Sequence, residues 1–223
     1  MDLPFVEQAF ISAKTPLKEA LAVILGCPYD GSASFRPGAR FGPSAIRKAS
    51  WGIETFSPYL QRDLIRHSIH DMGDLELPLG EKKISLGLIR KALDQILSKK
   101  KFPILLGGDH LITLPIVEEL SLRYPDLCLV HIDAHTDLRE DYLGEALSHS
   151  TVMRKVVDHL GEGRLFQIGI RSGTEDEFKL AKKWKSIVPN DPRSLKTMVR
   201  RLKNLPVYVT LDLDVIDPGF LPG

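Results

Sequence analysis

Three stretches of the chain deliver side chains that can hold metal ions or move protons. Residues 102–106 form an apolar run that leads into Gly107-Gly108-Asp109-His110. Residues 127–137 read Leu-Cys-Leu-Val-His-Ile-Asp-Ala-His-Thr-Asp, and residues 207–212 finish in Asp212, with Asp214, Asp217 and Pro218 just behind. In an extended strand, side chains two residues apart point to one side, about 7 Å apart. Asp133, His135 and Asp137 are therefore expected to leave one face of a buried strand at its carboxyl end, where open α/β sheets bind ligands. A lone Asp-x-His is most often a solvated loop. Three buried-looking strands that each end in carboxylate or imidazole make that reading the weaker one.

The candidate ligands are His110, Asp133, His135, Asp137, Asp212 and Asp214. Two imidazoles and four carboxylates are too many for one tetrahedral zinc. They suit two hexacoordinate, borderline-hard ions, with Mn²⁺ the best match to the ligand type. Two ions about 3.5–4 Å apart lower the pKa of a shared water enough to give a nucleophile at neutral pH. Four carboxylates balance two divalent cations, so little positive charge remains for a phosphate. A neutral or cationic substrate is expected.

The elements that must position these residues alternate between strand and helix. A first strand is expected over 20–26, followed by a long loop over 32–42 containing Arg36 and Arg40, then a helix from Pro43 to about Trp51. A strand over 68–72 precedes a helix over 81–99, whose stripe of Ile84, Leu88, Ala92, Leu93, Ile96 and Leu97 is expected to be core. Helices over about 113–124 and 150–160 flank the central strand, with an acidic loop over 138–148 between that strand and the second helix. A strand over 165–170 follows. Thr174 and Glu177 form a capping-box signature for a helix to Lys185, and Asp191 with Pro192 opens a last helix to about Lys203. This alternation predicts an α/β fold, a parallel β-sheet with helices on both faces, as one domain over 1–223.

The 223 residues are 43% hydrophobic and 26% charged with a formal net charge of +1, the composition of a globular enzyme with a large core. Near-neutral charge argues against nucleic acid as a partner, and no apolar run is long enough to span a bilayer. Cys27 and Cys128 sit in apolar segments without metal-site spacing, so buried free thiols and a cytoplasmic location are expected.

Gly-Gly-Asp-His at 107–110, Asp-Ala-His-Thr-Asp at 133–137 and Asp-Leu-Asp-Val-Ile-Asp-Pro at 212–218 resemble, in order and spacing, the three metal motifs of the ureohydrolases, the binuclear manganese family of arginase and agmatinase. The likeness starts at Tyr29-Asp30-Gly31 and covers nearly the whole chain. Residues 34–43 and Ile-Gly-Ile-Arg-Ser at 168–172 look most like agmatinases. Arg139 stands where arginases usually carry an Asn for the substrate's α-carboxylate, which argues against arginine. Ser148-His149 resembles the agmatinase Ser-His pair, with Ser150 where many relatives have Gly. The resemblance implies an arginase-like three-layer α/β/α fold, two Mn²⁺ per chain, a small cationic guanidino substrate and a homo-oligomer, trimer or hexamer. It implies hydrolysis of agmatine to putrescine and urea, with Asp137 orienting the nucleophile and His149 shuttling the proton. Asp109 and Asp217 are read as partners of the ligands, and His67, His70, His131 and His159 as structural. Other guanidino-hydrolases, a formiminoglutamase, or an inactive metal-binding homologue are the alternatives. In resembling enzymes the chain continues beyond the point matching Gly223, with a carboxylate that grips the guanidinium. The fold is thus expected to be incomplete at its C-terminus, and the chain alone to turn over poorly.

Overall fold

The computed structural model describes residues 9–221; the start of the N-terminal segment and the chain end at Gly223 lie outside them. The chain divides into two compact units, Met1–Ile112 and Thr113–Gly223.

The first unit is built on a parallel three-stranded sheet. Strand β1 (Ala22–Cys27) lies between β4 (Ile69–Asp74) and β5 (Phe102–Gly107). β1 runs in unbroken register with β5, from Ala22 opposite Phe102 to Cys27 opposite Gly107. Five of its six residues are buried, as a strand covered on both faces requires. Helix α1 (Gly42–Ser50) carries Pro43 in its first turn, where the missing N–H costs nothing. From α1, buried Arg47 reaches β4: its Nε donates to Asp71 Oδ2 at 2.7 Å, its Nη2 to Asp71 Oδ1 at 2.9 Å, and it also pairs with Asp74. Burial pushes the Asp71 carboxyl up, but the Arg47 hydrogen bonds together with the backbone N–H groups of Phe10 and Gly73 and the Arg47 charge outweigh it and hold Asp71 below the usual carboxylate range. A two-residue antiparallel hairpin, β2 (Phe56–Ser57) with β3 (Arg62–Asp63), has no counterpart in the sequence pattern.

Helix α2 (Lys82–Ser98) forms where expected, but Ile84 is not core: it is 54% exposed. The buried face is Ser85, Ile89, Ala92, Leu93 and Ile96. Steps of four from Ile84 overshoot the 3.6-residue turn, whereas 85, 89, 92, 93 and 96 follow it.

The second unit starts with α3 (Thr113–Ser121), which packs against α4 (Val152–Leu160). Its sheet places β6 (Cys128–Ile132) between β7 (Leu165–Ile168) and β8 (Val207–Leu211), all parallel. All three strands therefore present their carboxyl ends together. One face of the sheet carries Cys128, Val130 and Phe166, packed with Leu202 of α6 (Pro192–Leu202). The other carries His131, Gln167 and Thr210, which are cross-strand neighbours and all buried. Both helix-start signatures hold. Thr174 and Glu177 cap α5 (Glu175–Trp184) reciprocally, and Asp191 accepts from the backbone N–H groups of Arg193 and Ser194.

Candidate metal centre

The centre of the second unit is the turn that follows β6. The strand was expected to stay extended to Asp137 but ends at Ile132. His135 N turns back to donate to Asp133 Oδ1 at 2.6 Å, which ends the extended run, and Asp137 sits in the left-handed region at φ 52°. A tight turn rather than a pleat thus gathers these side chains. Such a φ is strained for a non-glycine residue and persists only where its surroundings hold it.

Those surroundings are the two residues flanking Asp137. Glu177 Oε1 accepts from Thr136 Oγ1 at 2.7 Å and from Leu138 N at 3.0 Å. Its Oε2 accepts from Thr174 N at 2.8 Å and lies 3.6 Å from Arg139 Nε. Burial pushes the Glu177 carboxyl up, but the donors at Thr174, Thr136 and Leu138 outweigh it and hold it below its ordinary value. On the other side of Asp137, its own carbonyl accepts from Met153 N at 3.0 Å, at the start of α4.

Two groups of ligand-capable atoms form here, each within 4.8 Å. His131, Asp133 and Asp137 are all buried, and Asp133, His135 and Asp214 are the second set. Asp133 belongs to both. His135 Nδ1 lies 2.9 Å from Asp214 Oδ2 and 3.6 Å from Asp133 Oδ1. The Asp133 and Asp214 carboxylates push the His135 imidazole up to about 10, so in the absence of another cation they hold a proton there. Such a cluster attracts positive charge.

Asp214 is placed by its neighbours. Its Oδ1 accepts from Ala134 N at 3.1 Å, and its backbone N–H donates to Asp212 Oδ1 at 3.0 Å. Asp212 thereby caps the turn Leu213–Val215, and Asp214 within that turn lies beside His135. Arg171, just after β7, clamps the same turn by donating to the carbonyls of Asp214, Val215 and Ile216. Gly169, at φ 89°, is needed for this approach: a Cβ there would lie 2.3 Å from Val215 Cγ2 and 3.0 Å from the Asp133 carbonyl oxygen.

The remaining sequence candidates lie around this turn or in the first unit. His149 opens the 3-10 turn His149–Thr151 ahead of α4, edge-on to Tyr142 with ring centroids 5.8 Å apart. The loop before it is ordered by hydrogen bonds between Tyr142 and Glu145 and from Arg139 N to the Ser150 carbonyl. In the first unit, His110 begins the 3-10 turn His110–Ile112 just after β5. Asp109 accepts from Ser32 N and Leu111 N, each at 2.9 Å, and so braces the loop after β1. The neighbouring Gly108 has no room for a side chain, since a Cβ would meet the Tyr29 carbonyl oxygen at 2.1 Å. Arg40 is structural: its guanidinium is bidentate on Asp30. The Asp217 carboxylate accepts from Gly219 N, and its backbone carbonyl accepts from Phe220 N and Leu221 N.

His131 is the residue that the sequence pattern placed among the structural histidines, and the structure puts it against Asp133. Its Nε2 lies 2.8 Å from Asp133 Oδ2. The period of two that singled out 133, 135 and 137 extends back to 131, and that was the available signal.

The donor set of oxygens and imidazoles, two clusters sharing one carboxylate, fits borderline-hard divalent ions. Thiolates are not part of it. Both cysteines are free and buried, and burial pushes the Cys27 thiol up to about 12.

A parallel α/β fold with carboxylate and imidazole clusters at its strand ends has the make-up of a site that can hold divalent metal ions. A family model described as the arginase family matches residues 20–223. The chain belongs to the arginase family, the ureohydrolases, and is an enzyme of that type. It is 44% identical to agmatinase of Bacillus subtilis over 229 residues, which covers 100% of this chain and 77% of that relative. The crystal structure of agmatine ureohydrolase of Thermoplasma volcanium superposes with a TM-score of 0.85 at 30% identity, covering 98% of this chain and 75% of that one. Proclavaminate amidino hydrolase from Streptomyces clavuligerus gives 0.84 at 29% identity, with 96% and 76% covered. The arginase-like α/β fold expected from the sequence motifs is therefore the fold observed. No described helix is long and apolar enough to cross a membrane.

Proposed function

We propose that the chain cleaves the guanidino group of agmatine, giving putrescine and urea, at a centre of two Mn²⁺ ions. The observation that carries this is Asp133, shared between two ligand clusters at the end of β6. The 44% identity to an agmatinase supports the choice of substrate. The proposed ligands are His110, Asp133, His135, Asp137, Asp212 and Asp214, on the strength of the three motifs, with the single domain and the homo-oligomer belonging to the same reading. Two Mn²⁺ ions would supply the positive charge that makes water a nucleophile at neutral pH.

The residues of this chain perform the rest. The guanidinium carbon is a poor electrophile because its charge spreads over three nitrogens, so the attacking oxygen must be held in line. Asp137 does this by accepting that oxygen's proton in a hydrogen bond, from a backbone position locked between Thr136 and Leu138. After attack, the departing nitrogen must be protonated to leave as an amine. His149 carries that proton, an imidazole being able both to take up a proton and to give it to a leaving group. Arg139 bears on the substrate's other end. Its cation is paired with Glu177 and stacked over Tyr142 at 5.1 Å, so it is committed within the protein rather than to a substrate carboxylate. That favours agmatine, which has none, over arginine.

Elemental analysis after Mn²⁺ loading and dialysis tests the centre. Two ions per chain are expected, and none in Asp133→Ala. A plateau at one ion, or preference for a single zinc, overturns the reading.

A further inference from the structure

The face of the second sheet below the metal centre carries a row of buried polar side chains that the reaction does not use. Thr210 on β8, His131 on β6 and Gln167 on β7 are directly opposite one another, and Ser186 lies beside Gln167, where residues 186–188 pair with β7. His131 and Gln167 are completely buried, and Ser186 is nearly so. Burying so many polar groups in a sheet core is costly unless each is satisfied.

The hydrogen bonds within this row have only one consistent direction. Gln167 Nε2 is 2.8 Å from the Thr136 carbonyl oxygen, which can only accept, so this atom of the amide is the donor. Its Oε1 accepts from Ser186 Oγ at 2.9 Å. The same Nε2 lies 3.1 Å from His131 Nδ1, which must therefore offer a lone pair. A neutral imidazole with an unprotonated Nδ1 carries its hydrogen on Nε2, and that nitrogen faces Asp133 Oδ2 at 2.8 Å.

We propose that His131 is a positioning residue for the shared carboxylate Asp133, held in its Nε2-protonated form by Ser186 and Gln167, and that it is not itself a metal ligand. Although its ring lies among the ligand-capable atoms, the lone pair that a metal would need is occupied by a proton. His131 fixes Oδ2 of Asp133 while His135 N fixes Oδ1. With a donor on each oxygen the carboxylate plane cannot rotate, and the lone pairs left over keep one orientation toward both clusters. Gln167 adds a second restraint through the Thr136 carbonyl, so one amide steadies both the carboxylate and the turn that carries Asp137. Hydrogen-bond partners that orient a ligand in this way commonly change metal affinity by about 10–100-fold when removed.

This inference rests on the proposed metal reading for its consequence, but its geometry is testable without metal. Long-range ¹H–¹⁵N correlation spectra of the metal-free, ¹⁵N-histidine-labelled protein, assigned with His131→Gln, report the tautomer directly. The expected spectrum has a bare Nδ1 and a protonated Nε2 at His131; a protonated Nδ1 overturns the relay. Mn²⁺ titration then separates the roles. In His131→Gln the side-chain amide can place an N–H near the position of Nε2 but is a poor ligand. It is expected to keep the wild-type stoichiometry with less than about a fivefold loss of affinity. His131→Leu is expected to lose about 10–100-fold, and Gln167→Leu several-fold with a mixed tautomer. Equal losses in His131→Gln and His131→Leu, or one ion fewer in both, mean that His131 is a ligand and refute the proposal. Unchanged affinity in a folded His131→Leu means that it only fills space, and refutes it too. If the wild-type protein takes up no Mn²⁺, the metal reading fails, and the tautomer alone decides the relay.

Discussion

Replacing Glu177 with Ala removes one carboxylate from three buried or half-buried donors at once. Thr136 Oγ1, Leu138 N and Thr174 N all donate to it, at 2.7, 3.0 and 2.8 Å. A hydrogen bond to a charged group contributes about 1.5–3 kcal/mol, and a buried donor left without a partner costs about 1–3 kcal/mol. The three share one acceptor and do not add independently. A destabilisation of about 3–5 kcal/mol is therefore expected, read from urea unfolding of the metal-free protein. Glu177→Gln keeps an acceptor for Thr136 and Leu138 but turns an amide N–H toward Thr174 N, for about 2 kcal/mol. The effect should depend on pH. Because the folded protein holds Glu177 below its ordinary value, its contribution is fully present above about pH 4.5. It is lost as the pH falls through the lower folded value. The wild-type protein should lose its advantage over Glu177→Gln in that acid range and hold it constant from pH 5 to 7. Glu177→Ala should also weaken Mn²⁺ binding, because the left-handed conformation of Asp137 then loses the acceptor shared by Thr136 and Leu138 on either side of it. A cost below about 1 kcal/mol for Glu177→Ala, or unchanged Mn²⁺ affinity in the folded variant, would refute the argument.

Three further outcomes follow from the same geometry. Gly169→Ala should lower stability by about 2 kcal/mol or more and weaken Mn²⁺ uptake, since its Cβ would displace Val215 and the Asp133 carbonyl at a positive φ; calorimetry with Mn²⁺ titration checks both. Arg47→Met should cost about 3–5 kcal/mol in urea unfolding by leaving Asp71 buried without its cation, and a loss under 1 kcal/mol contradicts it. His149→Ala should lower kcat by about 10²–10⁴-fold with metal content unchanged, the usual range for a lost general acid; an unaltered kcat across the pH range leaves His149 a structural residue.

The gathering of Asp133, His135, Asp137 and Asp214 was legible because ligand-competent residue types stand out against apolar runs, and the helix starts at Thr174 and Asp191 because caps are local. What escaped depended on contacts distant in sequence. The capping-box pattern identifies Glu177 with Thr174, three residues away, but not with Thr136 and Leu138, 41 and 39 residues away. His131 escaped because a histidine inside an apolar strand gives no sign of what its cross-strand neighbour is, and Gln167 opposite it decides its role. The turn after Ile132 escaped because Asp133 accepts a backbone N–H from His135, a contact that a period-two pattern does not encode. Ile84 was misassigned by a four-residue step that drifts off the buried face within two turns.

The measurement that bears most directly on the account is urea release from a panel of agmatine, arginine and 4-guanidinobutyrate by the Mn²⁺-loaded protein, beside Asp133→Asn. The account expects urea from agmatine at a rate well above that from the two substrates bearing a carboxylate, and none from Asp133→Asn. Faster turnover of arginine or guanidinobutyrate, or undiminished urea release by Asp133→Asn, would contradict it.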